Sequence, residues 1–261
     1  MPSSAIREAF ESVPSPAVLR EIVPIVRDEV NRSAAVRCST CSMRNVCTPP
    51  GLTAEELSRV DSIVCTTRTV RRGDTLFRSG DLFQYLYAVR AGSFKTVIVH
   101  SDGREQVTGF QITGETLGLD GIYTGRHNGD VVALEDSVVC VISFLQLETV
   151  CREIHTMQHH VHRLMSGEIV RESRLMMLLG TMRADQRVAA FLLNLSQRFK
   201  ALGYSSAEFH LRMTRREIGC YLGMKLETVS RTLSRFQRDR LLDAQGKQIR
   251  ILDPEGLAAC V

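Results

Sequence analysis

Met213-Thr-Arg-Arg-Glu-Ile-Gly-Cys-Tyr-Leu-Gly-Met-Lys-Leu-Glu-Thr-Val-Ser-Arg-Thr-Leu-Ser-Arg-Phe236 is the stretch that decides the fold. Thr214 and Glu217 have the spacing of a capping box, Gly223 supplies a turn, and a second helical period runs from Leu226 to Gln237. In that second segment Leu226, Val229, Leu233 and Phe236 recur on one face, while Glu227, Ser230, Arg231 and Ser234 share the other. One face packs and the other is free to read. A glutamate can accept from cytosine N4, an arginine can bond guanine O6 and N7 together, and serine or arginine can hold phosphates. The same spacing also fits a plain surface ion pair between Glu227 and Arg231, worth roughly a few tenths of a kcal/mol. Positive charge gathers here: Arg215, Arg216, Lys225, Arg231, Arg235, Arg238 and Arg240 stand against Glu217, Glu227 and Asp239. Leu241, Ala244, Ile249 and Ile251 then alternate around Gln245-Gly246, which predicts a small hairpin. With the helix predicted over Asp185 to Lys200, residues 181–261 read as a winged helix-turn-helix.

Upstream the period changes. From about Val70 to Phe144, short β-branched and aromatic runs are cut by glycine turns at Gly73, Gly80, Gly92, Gly103, Gly114 and Gly125. That rhythm predicts a small antiparallel β-barrel or sandwich over 65–146. Leu147 to Leu179 carries apolar residues at three-and-four spacing without proline, which predicts one long helix over 147–180. Its stripe needs a partner. Met165, Ile169, Met176 and Leu179 define a seam in which Glu172 takes an apolar position. In a parallel dimer two such carboxylates would face each other unfavourably; with a slight helix rotation Glu172 would instead reach water. Thr53 and Glu56 form a second capping box in the segment 36–64. Residues 1–35 read as a loosely attached extension with a short helix from Ala17 to Val30. The whole is an α+β chain.

At 261 residues, 44% hydrophobic and 24% charged, the chain has the composition of a soluble globular protein with room for two modest domains. Its net charge of +4 is too small to identify a nucleic-acid binder by itself. No apolar run approaches the roughly 20 residues a membrane span needs, so a cytoplasmic location is expected, where disulfides are disfavoured. Eight cysteines then point to metal binding or burial.

Cys38-Ser-Thr-Cys41 followed by Cys47 places three thiolates on one loop, enough to surround most of a metal centre. The spacing fits tetrahedral zinc and an iron–sulfur cluster equally. A fourth ligand must come from Cys65, Cys140, Cys151, Cys220 or Cys260. His155, His159, His160 and His162 read as a solvated helix face. Gly114-Glu115-Thr-Leu-Gly118-Leu-Asp120 partly matches a cyclic-nucleotide phosphate cassette, but acid and aliphatic residues near Gly129-Asp130 replace the cationic pair a phosphodiester needs. No cyclic nucleotide is expected there. No catalytic residue is assigned, and the chain does not read as an enzyme.

The quoted stretch resembles the helix-turn-helix of the cyclic-AMP receptor protein superfamily, and its Glu227-Thr-Val-Ser-Arg231 core is most similar to the fumarate and nitrate reduction regulator (FNR) branch. The resemblance runs from about Cys38 to Asp253. It implies that Glu227, Ser230 and Arg231 read and anchor DNA, with Arg215 and Lys225 beside them. Leu226, where the cyclic-AMP branch has an arginine, implies a TTGAT-type half-site. Lys225 replaces a capping threonine, a loss of about 1 kcal/mol that a phosphate contact would offset. The resemblance further implies that Cys38, Cys41 and Cys47 hold a [4Fe–4S] cluster together with the distant Cys140. Oxygen would dismantle that cluster, and the cluster-loaded homodimer would bind palindromic double-stranded DNA. Met165, Ile169 and an acidic residue at Glu172 would form the dimer switch. The loop His100 to Gln106 is similar to one that touches RNA polymerase, although Arg104 stands where an acid is expected.

Overall fold

A computed structural model describes residues 37–261; the extension 1–35 and its expected helix lie outside the described residues. A short turn over Cys38–Thr40 and α1 (Arg44–Cys47), with Cys41 between them, carry the first three cysteines. Next comes α2 (Ala54–Ile63), which starts at the predicted capping box: Thr53 Oγ1 accepts from Glu56 N–H and Glu56 Oε2 from Thr53 N–H.

Two antiparallel sheets follow. The first has strand order β1 (Val64–Val70), β8 (Ser137–Ser143), β3 (Tyr85–Ala91), β6 (Thr116–Leu117). The second has β2 (Thr75–Phe77), β7 (Asp130–Ala133), β4 (Ser93–Val99), β5 (Glu105–Ile112). They face one another around Val70, Leu76, Val89, Phe94, Val131 and Val139. The result is a two-sheet roll, not a closed barrel. A helical turn, α3 (Gly121–Thr124), lies between β6 and β7.

The single long helix expected over 147–180 is two helices. The first, α4 (Phe144–Glu153), is capped by Ser143; α5 (His155–Thr181) follows a break at Ile154, whose backbone is extended at φ −118° and ψ 98°. The break lets Ile154 drop into a core with Val60, Ile63, Leu86, Leu147, Val150 and Met157. Burying that side chain outweighs helix continuity.

The C-terminal unit contains α6 (Ala184–Ala201), β9 (Glu208–His210), α7 (Arg215–Leu222), α8 (Leu226–Arg238), β10 (Leu242–Gln245), β11 (Gln248–Ile251) and α9 (Pro254–Ala258). The predicted hairpin pairs Leu242 with Ile251 and Gln245 with Gln248, and β9 adds a third strand absent from the sequence reading. This unit is not hung on a free tether. Val97, Val107, Phe110 and Leu134 of the roll share one core with Phe191, Leu192, Ile218, Leu222 and Phe236. Glu217 serves both units, capping α7 and accepting from Lys95 Nζ on β4 at 2.7 Å. Burial alone would raise its carboxyl pKa, yet the bonds from Lys95 and Thr214 hold it below the ordinary carboxylate value.

Candidate cysteine centre and nucleic-acid interface

Strand alternation decides where Cys140 points. Val139 and Val141 are buried between the sheets, so the intervening Cys140 faces the opposite side of β8. The three-cysteine loop crosses that side. It is held by Asp61 of α2, whose carboxylate accepts from Ser39 N–H at 3.1 Å and Ser39 Oγ–H at 2.6 Å. Cys38, Cys41, Cys47 and Cys140 thereby line one cavity of about 80 Å³, closed by Val60, Ile63, Leu86, Met157 and Leu164, with Arg44 and Arg90 at its wall.

The thiols feel one another. Burial pushes Cys38 up to about 12, with Cys140, Asp61, Cys41 and Cys47 adding to the rise; burial and the neighbouring Cys140 and Cys41 push Cys47 up to about 11. Burial also raises Cys140, against the opposing pull of Arg90. Four thiolates gathered here are costly until a cationic centre neutralises them. Among the described residues, no three Cys, His, Asp or Glu stand at the spacing of a single metal ion. A cavity lined by four cysteines fits the all-cysteine ligation of an iron–sulfur cluster.

The other cysteines lie elsewhere. Cys65 is exposed on β1, Cys151 sits on α4 against the Ile154 core, Cys220 is wedged between α7 and β5, and Cys260 is near the C-terminus. One histidine departs from expectation. His155, His159 and His162 are exposed, but His160 is half-buried and its Nε2–H donates to Cys47 C=O at 3.2 Å. Sequence periodicity missed it because its partner is a backbone carbonyl far along the chain.

On α8, Val229, Leu233 and Phe236 are buried, while Glu227 and Arg231 are exposed and Ser230 is half-buried. Among the described residues Glu227 and Arg231 form no ion pair with each other. Arg235 is taken by Asp185 of α6 at 2.9 Å and leaves the free face. Leu226 is 40% exposed beside Glu227, and Lys225 sits at the N-cap without a side-chain cap bond. Arg215 opens α7, half-buried next to exposed Arg216.

Helix α5 carries two stripes. Val161, Leu164, Glu168, Arg171, Leu175 and Leu178 are half-buried against the protein's own body. Met165, Ile169, Glu172 and Met176 are exposed on another face, Ile169 by 64% and Met176 by 67%. The inner stripe holds a carboxylate that the sequence reading passed over: burial raises the pKa of Glu168, partly opposed by Arg171 at 2.9 Å. Between α5 and the roll lies a cleft of about 1090 Å³ whose lining carries the carboxylates of Asp120, Glu168 and Glu172. The roll's own acid in that lining is Asp120 rather than Asp130, which accepts from Ser79 N–H at 2.8 Å.

A two-sheet roll joined to a winged helix-turn-helix with a free polar face defines a DNA-binding transcription regulator. Residues 186–260 match the Crp-like helix-turn-helix domain and residues 67–154 the cyclic nucleotide-binding domain. The chain is 47% identical over 223 residues to the transcriptional regulatory protein btr of Bordetella pertussis, covering 85% of this chain and 92% of that one. It is 40% identical over 235 residues to the fumarate and nitrate reduction regulatory protein of Salmonella typhimurium, covering 90% and 94%. The solved structure of FixK2 from Bradyrhizobium japonicum superposes with a TM-score of 0.69 at 29% identity, covering 75% of this chain and 96% of that chain. The chain belongs to the FNR branch of the Crp family of transcriptional regulators.

Proposed function

We propose that this regulator senses oxygen through a [4Fe–4S] cluster held by Cys38, Cys41, Cys47 and Cys140, and so controls genes of anaerobic metabolism. The observation that carries the reading is the convergence of these four cysteines, from two distant segments, on one cavity. Bound there, the cluster supplies a centre that oxygen can destroy. The protein's own residues do the rest. Asp61 and His160 position the loop, Arg44 and Arg90 offset its negative charge, and the surrounding apolar side chains limit water.

The exposed stripe of Met165, Ile169 and Met176 packs on a second copy in a parallel homodimer, where Glu172 opposes its symmetry mate and leaves the association poised. Two α8 helices then meet successive major grooves of a TTGAT-type palindrome. Glu227 and Arg231 read bases; Ser230, Lys225 and Arg215 anchor the backbone. The acidic lining of the cleft disfavours a cyclic nucleotide, and the loop from His100 to Gln106, with Arg104 paired to Asp102 at 2.7 Å, is the surface offered to RNA polymerase. A cytoplasmic location agrees with the described residues, none of whose helices is long and apolar enough to cross a membrane.

Purification without oxygen tests the reading. Iron and sulfide should be present at about four each per chain, with a visible absorption band that air bleaches. Cys140→Ser should lose them while Cys65→Ser and Cys151→Ser keep them. Stoichiometric zinc in place of iron, or retention of iron and sulfide in Cys140→Ser, would overturn it.

A further inference from the structure

The dimer helix is not the only physical link between the cysteine loop and the DNA-binding unit. Val46, next to Cys47 on α1, packs on Gly114, and Leu202, just past the end of α6, packs on the same glycine. The backbone at Gly114 has φ +86°; a Cβ there would overlap Val46 Cγ1 and stand 3.2 Å from Leu202 Cδ2. Glycine is needed both for the turn and for this three-way approach. Gly114 also lines the cysteine cavity.

The next residue grips α6. Glu115 Oε1 accepts from Arg198 Nε–H at 2.9 Å and its Oε2 from Arg198 Nη2–H at 2.5 Å, and Arg198 Nη2 also donates to Phe110 C=O at 2.6 Å. Both side chains are under 20% exposed, at 18% and 19%. Glu115 is itself fixed, because its Oε2 accepts from Ile112 N–H at 2.9 Å. The turn is tied to the cysteine sheet as well: Gly114 N–H donates to Val89 C=O at 2.8 Å and Val89 N–H to Glu115 C=O at 2.9 Å, beside Ala88, the register partner of Cys140.

We propose that the Gly114-Glu115 turn is an intramolecular lever, with Glu115 and Leu202 as positioning residues through which the cysteine loop sets the DNA-binding unit within one protomer. The inference rests on the cluster reading above. With four sulfurs gathered around one centre, the loop has one position and Val46 presses on the turn; with the loop released, that contact is lost and α6 is held less firmly. Dimerisation and orientation of α8 are then two outputs of one sensor. Glu115 and Leu202 touch no cysteine of the site and need not alter the exposed stripe of α5.

The test uses the full chain, as wild type, Glu115→Gln and Leu202→Ala, each prepared with and without oxygen. Iron and sulfide content, the dimer fraction by sedimentation, amide exchange in α6, and affinity for a TTGAT-type palindrome at one salt concentration are all measured. Both variants should keep wild-type iron, sulfide and dimer fraction. Their cluster-loaded to cluster-free affinity ratio, measured where both forms are dimeric, should fall about tenfold, the scale of an ordinary coupling between sites. Loss of the loading-dependent protection of α6 should accompany it. A variant that retains the wild-type affinity ratio and exchange pattern overturns the lever, as does one whose defect lies in the dimer fraction. Wild-type protein that holds no iron or sulfide overturns the cluster reading and the lever together, a result distinct from a loaded wild type with unchanged variants.

Discussion

Arg231 and Arg235 lie one helical turn apart, yet only one of them remains free. Asp185 of α6 captures Arg235, so its charge orients α8 on its support, while Arg231 stays exposed beside Glu227. Arg231→Ala should therefore lose about 1–3 kcal/mol of discrimination at one base pair of the half-site. Removing Arg235 should instead weaken binding to every sequence alike. Binding to matched and single-base-altered duplexes at fixed salt separates the two, and an Arg231→Ala protein with unchanged preference at all positions would remove it from base reading. Both arginines were legible as part of a basic cluster. Which one is free depended on a carboxylate fifty positions upstream.

At the scale of elements, α5 shows why one heptad-like pattern can hide two stripes, one half-buried and one exposed. The stripe Val161, Leu164, Leu175 and Leu178 is half-buried against the body, whereas Met165, Ile169 and Met176 are exposed. Glu172 sits in this second stripe. Glu172→Leu should strengthen the dimer in cluster-free protein by about 1–3 kcal/mol, through relieved like-charge repulsion and a gained apolar contact. Equal monomer fractions for mutant and wild type, sedimented in air at matched concentration, would take Glu172 out of the switch. Glu168, on the inner stripe, belongs to a different contact. Spacing alone could not separate the two carboxylates, because each is four residues from an apolar neighbour.

The whole molecule is coupled through the core shared by the roll and the DNA-binding unit. Phe110 of β5 is 3% exposed, and its ring centroid lies 6.0 Å from that of Phe191 and 5.2 Å from that of Tyr221. Truncation to Phe110→Ala should cost about 3–5 kcal/mol. Because the lost contacts join both units, calorimetry should show one transition in wild type and a shift of that whole transition in the mutant. Two separated peaks, with only one displaced, would contradict the shared core. The expected linear order of sensor, helix and reader gave no sign of this contact.

By itself the sequence determined the local structure: both capping boxes, the turn at Gly223, the buried face of α8 and the wing hairpin rest on neighbours within a few residues, and their spacing states them directly. It also determined the family, through Glu227 to Arg231. The tertiary structure alone decided where α4 ends and α5 begins, that the three-cysteine loop crosses the face of β8 that carries Cys140, that His160 holds Cys47, and that Gly114 lies between the cysteine loop and α6. Each of these depends on the burial of one side chain or the approach of two backbones distant in sequence, and neither leaves a period along the chain from which it could be read.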